Sequence, residues 1–74
     1  MYFVLEGSKE EIQKAKKATL LADGDFGVKI GNLRHERVGI FKHRLEVELN
    51  GPKERAQRCF DRIKSNYKIL NQYD

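Results

Sequence analysis

The sequence has a single cysteine, a single proline, no tryptophan and no long apolar run. One cysteine excludes an internal disulfide and is typical of a reducing compartment, so we expect a cytoplasmic protein. No apolar stretch approaches the about 18 residues that a membrane span requires. The apolar start of the chain is followed at once by Glu6, without the basic leader of a signal peptide. We therefore expect no membrane partner.

Motifs for chemistry are also missing. His35, His43 and Cys59 are not spaced as zinc ligands, and the glycines lack the lysine of a phosphate-binding loop. Asp23 and Asp25 lack the remaining ligands of a calcium loop. Cys59 lies in an apolar helical stripe without a base beside it, so we interpret it as an inert buried thiol. We therefore expect no metal, cofactor or small-molecule substrate, and a protein that is not an enzyme.

What is present fits one small folded domain spanning residues 1–74. Hydrophobic residues make up 39% of the chain and charged residues 35%, which is ordinary for a globular domain. The net charge of +4 is unevenly placed, because residues 28–74 hold eleven bases and six acids. A basic half can attract phosphate backbones or anionic surfaces, although net charge alone also serves solubility.

Residues 38–51 give the longest β signal. Phe41, His43, Leu45, Val47 and Leu49 alternate with charged residues, which predicts a strand with one packed face. Because His43 shares the apolar phase, we expect it to be partly buried with a local partner. The alternation slips phase between residues 38–40 and 41–45, and we expect a bulge near Gly39 to restore it.

The other elements follow from shorter signals. Residues 2–5 predict a first strand, and Ser8 with Glu11 predicts a capping box at the start of a helix. The end of that helix has two interpretations. Ile12, Ala15, Thr19 and Ala22 have helical spacing and favour a helix to about Ala22, before Gly24. In the alternative, the helix ends near Lys17 and residues 19–22 form a strand.

Residues 28–33 predict a second strand that pairs with the long one as an antiparallel hairpin. Pro52 begins a last helix, whose apolar residues recur at intervals of three and four before it frays over residues 71–74. These apolar residues are Ala56, Cys59, Phe60, Ile63, Tyr67 and Leu70. We expect Phe60 and Ile63 at the centre of this stripe to face the sheet.

The predicted fold class is therefore α+β, a three-stranded, largely antiparallel sheet with two helices on one face, in the order β-α-β-β-α. This order is similar to a ferredoxin-like pattern that lacks its last strand, the arrangement that RNA-recognition domains complete. Residues 37–49 do not match the aromatic-rich strand motif of those domains.

A basic hairpin carries the main functional hypothesis, which is binding of RNA or DNA. Five residues could contact a phosphate backbone: Lys29, Arg34, Arg37, Lys42 and Arg44. Phe41 and Tyr2 could stack on bases if the open sheet face carries them. The alternative is a protein-interaction or weakly homodimerising module that uses the open face or an edge strand. The sequence does not distinguish RNA from DNA and does not indicate a biological process.

Overall fold

The computed structural model describes residues 1–73 of the chain, with residues 22 and 23 described by their backbone alone. It contains seven elements: β1 (Tyr2–Gly7), α1 (Lys9–Leu20), α2 (Ala22–Phe26), β2 (Lys29–Arg37), β3 (His43–Asn50), α3 (Lys53–Asn66) and β4 (Ile69–Tyr73). The strands form one sheet in the order β2-β3-β1-β4, and every neighbouring pair is antiparallel.

The sheet therefore has four strands, and the prediction of three is wrong. The missed strand is β4, which lies beside β1 and completes the ferredoxin-like order. The helical spacing of Tyr67 and Leu70 suggested a longer last helix, but α3 ends at Asn66 and Tyr67 is extended. Ser65 and Asn66 both donate side-chain hydrogen bonds to the carbonyl of Arg62 in the last turn of the helix, and the Tyr67 amide donates the final helical bond to the Ile63 carbonyl. The predicted fraying over residues 71–74 is wrong for residues 71–73, which belong to β4, and the remaining residue, Asp74, lies outside the described part of the chain.

Both long helices cover the same face of the sheet, as predicted. The core contains Phe3 and Leu5 of β1, Leu45, Val47 and Leu49 of β3, Ile12 and Ala15 of α1, and Ala56, Cys59, Phe60 and Ile63 of α3. The rings of Phe3 and Phe60 meet edge to face, with centroids 5.1 Å apart. The prediction that Phe60 and Ile63 face the sheet is confirmed, because both are only 2% exposed.

Helix α1 begins as the sequence indicates. The Glu11 amide donates to Ser8 Oγ (3.2 Å), and the Ser8 amide donates to Glu11 Oε1 (3.1 Å), which completes the capping box. The helix ends at Leu20, and after Leu21 the chain continues as the short α2. The longer-helix interpretation is therefore the nearer one, although Gly24 does not stop the helix as predicted, because it lies within α2. The alternative strand over residues 19–22 is wrong. The side chains of Ala22, which the predicted apolar stripe includes, and of Asp23, for which the sequence predicts no calcium site, lie outside the described part of the chain.

The hairpin differs from its prediction at the turn. Strand β3 begins only at His43, and residues 38–42 form the turn, where the amides of Val38 and Gly39 both donate to the Lys42 carbonyl. The phase slip in the sequence is this turn, so the predicted bulge at Gly39 is wrong. A register shift occurs instead in β2 at Gly31, between Ile30 and Asn32. A Cβ at Gly31 would meet the ends of the Asn50 and Glu48 side chains, which would have to move aside for a larger residue.

Candidate interaction surfaces

The helix-free face of the sheet is formed by the residues that alternate with the core positions. The strand register places on it Asn32, Arg34 and Glu36 of β2, Arg44, Glu46 and Glu48 of β3, Tyr2, Val4 and Glu6 of β1, and Asn71 and Tyr73 of β4. Only one aliphatic side chain, Val4, belongs to this set, and it is 7% exposed beneath its longer neighbours. The open face is therefore polar and charged over most of its area.

The five residues of the predicted nucleic-acid site do not form one continuous row. Arg34 and Arg44 lie on the helix-free face, and the register places Lys29 on it as well, but opposite Asn50 at the far end of β2. Arg37 lies at the start of the turn, where its Nε donates to the Gly39 carbonyl (3.0 Å). Lys42 lies in the turn itself. The structure thus brings Arg44 and Lys42 together and separates Lys29 from them.

Carboxylates pair with the cations of this hairpin. Glu6 of β1 accepts from Arg44 (2.8 Å) and lies 3.5 Å from Lys42, while Arg34 pairs with Glu36 at 3.1 Å. Hydrogen bonding from Arg44 is the main reason that the pKa of the Glu6 carboxyl is lowered. Positively and negatively charged side chains therefore alternate across the helix-free face. Glu6 escaped the sequence analysis because nothing in the sequence indicated that β1 lies beside β3.

The two histidines form a pair on the helix-covered side of the hairpin. His35 Nε2 and His43 Nδ1 are 2.9 Å apart, and both rings are partly buried. The prediction of a local partner for His43 is therefore confirmed. Burial lowers the pKa of His35, and the neighbouring His43, Lys16 and Lys9 lower it further. Among the described residues, no three potential metal ligands come together.

Cys59 is buried against the core at 1% exposure. Its burial raises the pKa of the thiol, so the protonated form is favoured. This environment is that of a packing residue, as the sequence indicated.

The two outer edges of the sheet differ in charge. Strand β2 carries Lys29, Arg34, Glu36 and Arg37 along its length, whereas β4 consists of Ile, Leu, Asn, Gln and Tyr. Charged side chains on an edge strand disfavour pairing with another chain, and β4 has none. Leu70 and Tyr73 of β4 are 45% and 56% exposed, and Tyr73 lies against Tyr2 with ring centroids 5.7 Å apart.

The hydrogen-bond pattern shows which backbone groups of β4 point outward. Met1 and Leu49 exchange both backbone hydrogen bonds (3.0 and 2.7 Å), so the odd-numbered residues of β1 bond to β3. In an antiparallel ladder the even-numbered residues then bond to β4, which pairs Tyr2 with Tyr73 and Val4 with Asn71. The amide and carbonyl of Gln72 consequently point away from the sheet. On the opposite edge, the same alternation directs those of Leu33 outward.

The hairpin turn carries the two large apolar side chains that are most exposed among the described residues. Phe41 is 87% exposed, Ile40 76% and Val38 39%. The interpretation of Phe41 as a core residue of a strand is therefore wrong, because the residue belongs to the turn and follows neither face of β3. It also lies off the helix-free face, so it does not join Tyr2 as a base-stacking platform.

Comparisons with known proteins support the fold and nothing finer. No family model matches the chain, and no curated protein sequence is significantly similar to it. The structure is similar to the solution structure of the C-terminal domain of the MgtC protein from Mycobacterium tuberculosis, with a TM-score of 0.69 and 9% sequence identity. The match covers 95% of this chain and 79% of that one, and it shows the shared α+β fold. None of the described helices has the length and apolar character needed to cross a membrane.

Proposed function

We propose that this chain is a non-enzymatic protein-interaction domain that pairs with a second copy of itself through the outer edge of β4. The observation that carries the proposal is the difference between the two sheet edges. Strand β2 carries four charged residues, Lys29, Arg34, Glu36 and Arg37, and β4 carries none. An uncharged edge strand without proline presents unpaired backbone groups to another strand.

Geometry supports one register for this pairing. The outward amide and carbonyl of Gln72 would exchange two hydrogen bonds with those of Gln72 in the other copy, about a two-fold axis. Asn71 would then lie opposite Tyr73 of the second copy on the helix-free face, which extends the row begun by Tyr2 and Tyr73. The two four-stranded sheets would form one sheet of twice the width.

The pairing we propose is weak, because little of β4 is regular. A register shift between Val4 and Leu5 interrupts the pairing of β1 with β4 at Leu70 and leaves only Asn71, Gln72 and Tyr73 in regular pairing. A short contact of this kind buries far less than the about 1,600 Å² of a standard interface. We expect association at high protein concentration and a monomer at low concentration.

A charged side chain introduced at residue 72, which lies on the proposed two-fold axis, tests the proposal. We expect the Gln72→Lys variant to abolish association, because two like charges would face each other directly across the axis. Asn32→Lys on β2 is the matched control, since it adds the same charge to the other edge strand and should leave association unchanged. Sedimentation equilibrium measures the average mass of each protein against concentration. Association that survives Gln72→Lys, or fails equally with Asn32→Lys, would place the contact elsewhere.

Binding of RNA or DNA to the basic hairpin is the second candidate function. The observation that favours it is that residues 34–44 of the hairpin hold four basic residues and one acidic residue. Glu6 and Glu36 oppose it, because phosphate oxygens would have to compete with carboxylates that already pair with Arg44, Lys42 and Arg34. We therefore rank it below association through β4.

A further inference from the structure

We propose that the hairpin turn inserts into the surface of an anionic membrane. The apolar tip consists of Val38, Ile40 and Phe41, and the last two are 76% and 87% exposed. Folding leaves these side chains in water although the core lies nearby, so the structure offers them no partner within the described chain. The proposal uses a different end of the sheet from the β4 edge and does not depend on it.

Size and shape favour a bilayer over a protein partner for the apolar tip. An aromatic side chain buries about 200 Å², so three side chains on one turn cover a few hundred Å² at most. A stable protein contact takes about 800 Å² from each partner. A protruding tip needs no complementary groove in a bilayer, because acyl chains and headgroups adjust around it, and peripheral binding combines such apolar contact with attraction to anionic lipids.

Cations surround the apolar tip. Arg37 and Lys42 flank it in the sequence, while Lys9 and Lys68 line the two surface grooves on either side of Phe41. We call these four residues the basic collar. Each lysine or arginine held near an anionic surface contributes about a fivefold gain in binding.

Three carboxylates also border these grooves, at Glu6, Glu10 and Glu11. Two of them are already engaged within the domain. Glu6 pairs with Arg44 and Lys42, and Glu11 accepts the hydrogen bond of the Ser8 amide. The four cations of the collar also outnumber these three carboxylates, so the surroundings of the tip keep an excess of positive charge toward the proposed surface.

Several backbone groups of the turn already have hydrogen-bond partners, which lowers the cost of moving the turn into a medium of low polarity. The amides of Val38 and Gly39 donate to the Lys42 carbonyl at 2.9 and 3.2 Å, and Arg37 Nε donates to the Gly39 carbonyl at 3.0 Å. Unsatisfied backbone groups are costly away from water, and these contacts satisfy several of them inside the turn. Hydropathy led to the expectation of no membrane partner because it detects spans, whereas a tip of three residues leaves no such signal.

A single tryptophan tests the proposal, since the chain has none of its own. We expect the emission of the Phe41→Trp variant to shift to shorter wavelength with vesicles of phosphatidylcholine and phosphatidylglycerol, and far less with phosphatidylcholine alone. The matched control is Leu20→Trp, because Leu20 is 57% exposed but lies at the other end of α1, about 18 Å from the collar end. Its emission should not change.

Second substitutions in the Phe41→Trp protein separate the two parts of the surface. Ile40→Ala should weaken vesicle binding about tenfold or more, through lost apolar burial. Lys42→Gln should weaken it about fivefold on anionic vesicles only. No emission shift with anionic vesicles, or an equal shift from Leu20→Trp, would overturn the proposal. So would a shift that follows protein concentration without vesicles, which would assign the tip to a protein contact.

Discussion

Two phenylalanines of the same chain show what a residue pattern can and cannot predict. Phe60 recurs with Ala56 and Ile63 at helical spacing over several turns, and it is buried in the core as expected. Phe41 continued the alternation of β3, but it lies two residues before that strand begins at His43, where the alternation no longer describes a face. A sequence pattern is thus informative inside a long element and misleading beyond its ends, where turn length decides the orientation.

The histidine pair leads to a prediction about pH. The pKa of His35 is below its ordinary value of 6.5 in the folded domain, so the unfolded chain binds a proton first as pH falls. The contribution of His35 should therefore leave stability unchanged above about pH 6.5 and reduce it as pH falls from there toward the folded pKa. Urea denaturation at pH 7.5 and at pH 5.5 measures the loss.

His35→Gln is the variant that isolates this effect. It should flatten the decrease in stability between the two pH values, because the residue that replaces histidine does not titrate. Carboxyl groups such as Glu6, whose pKa is lowered below 4.5, change protonation at more acidic pH and do not contribute in this range. An equal decrease in the wild type and in His35→Gln would show that the pair does not control the pH response.

At the scale of elements, the sequence predicted β1, α1, β2, β3 and α3 in the right order and missed β4 and the short α2. Five residues are too few to establish the alternation of a strand. The register shift at Leu70 also interrupts the alternation of apolar and polar residues within β4. The position of β4 follows instead from the sheet, because the outward backbone groups of β1 would otherwise remain unpaired. Pairing between distant strands is a property of the fold, so the Glu6 contacts with Arg44 and Lys42 could not be predicted either.

The pairing of Glu6 with Arg44 and Lys42 leads to a prediction about nucleic-acid binding by the hairpin. If Arg44 and Lys42 bind phosphates, Glu6→Gln should strengthen binding to single-stranded RNA, because it removes the competing carboxylate. Arg44→Gln should weaken it and lower the slope of log affinity against log salt by about 0.7. Titrations at two salt concentrations measure both effects.

Glu54→Gln on α3 is the control, since it changes the net charge by the same amount away from the hairpin. Equal gains from Glu6→Gln and Glu54→Gln would assign the effect to net charge alone. Salt-insensitive or absent binding by the wild type would end the nucleic-acid hypothesis and leave the charge of +4 as a solubility property.

At the scale of the whole molecule, the three candidate surfaces lie on separate parts of the sheet. The helix-free face holds alternating charges, the hairpin end holds an exposed apolar tip, and the β4 edge holds unpaired backbone groups without charge. None of these is visible as a motif, because each depends on which strands are neighbours. A domain of this size thus acquires its surfaces mainly through topology.

The central claim is that two copies pair through β4, and amide hydrogen exchange at Gln72 tests it most directly. This amide points outward in the single domain, so it should exchange fast in dilute protein and become protected as concentration rises. The Leu33 amide on the β2 edge also points outward and should stay unprotected throughout. Protection of Leu33 instead of Gln72, or a Gln72 amide that remains fast at concentrations where the mass doubles, would contradict the account.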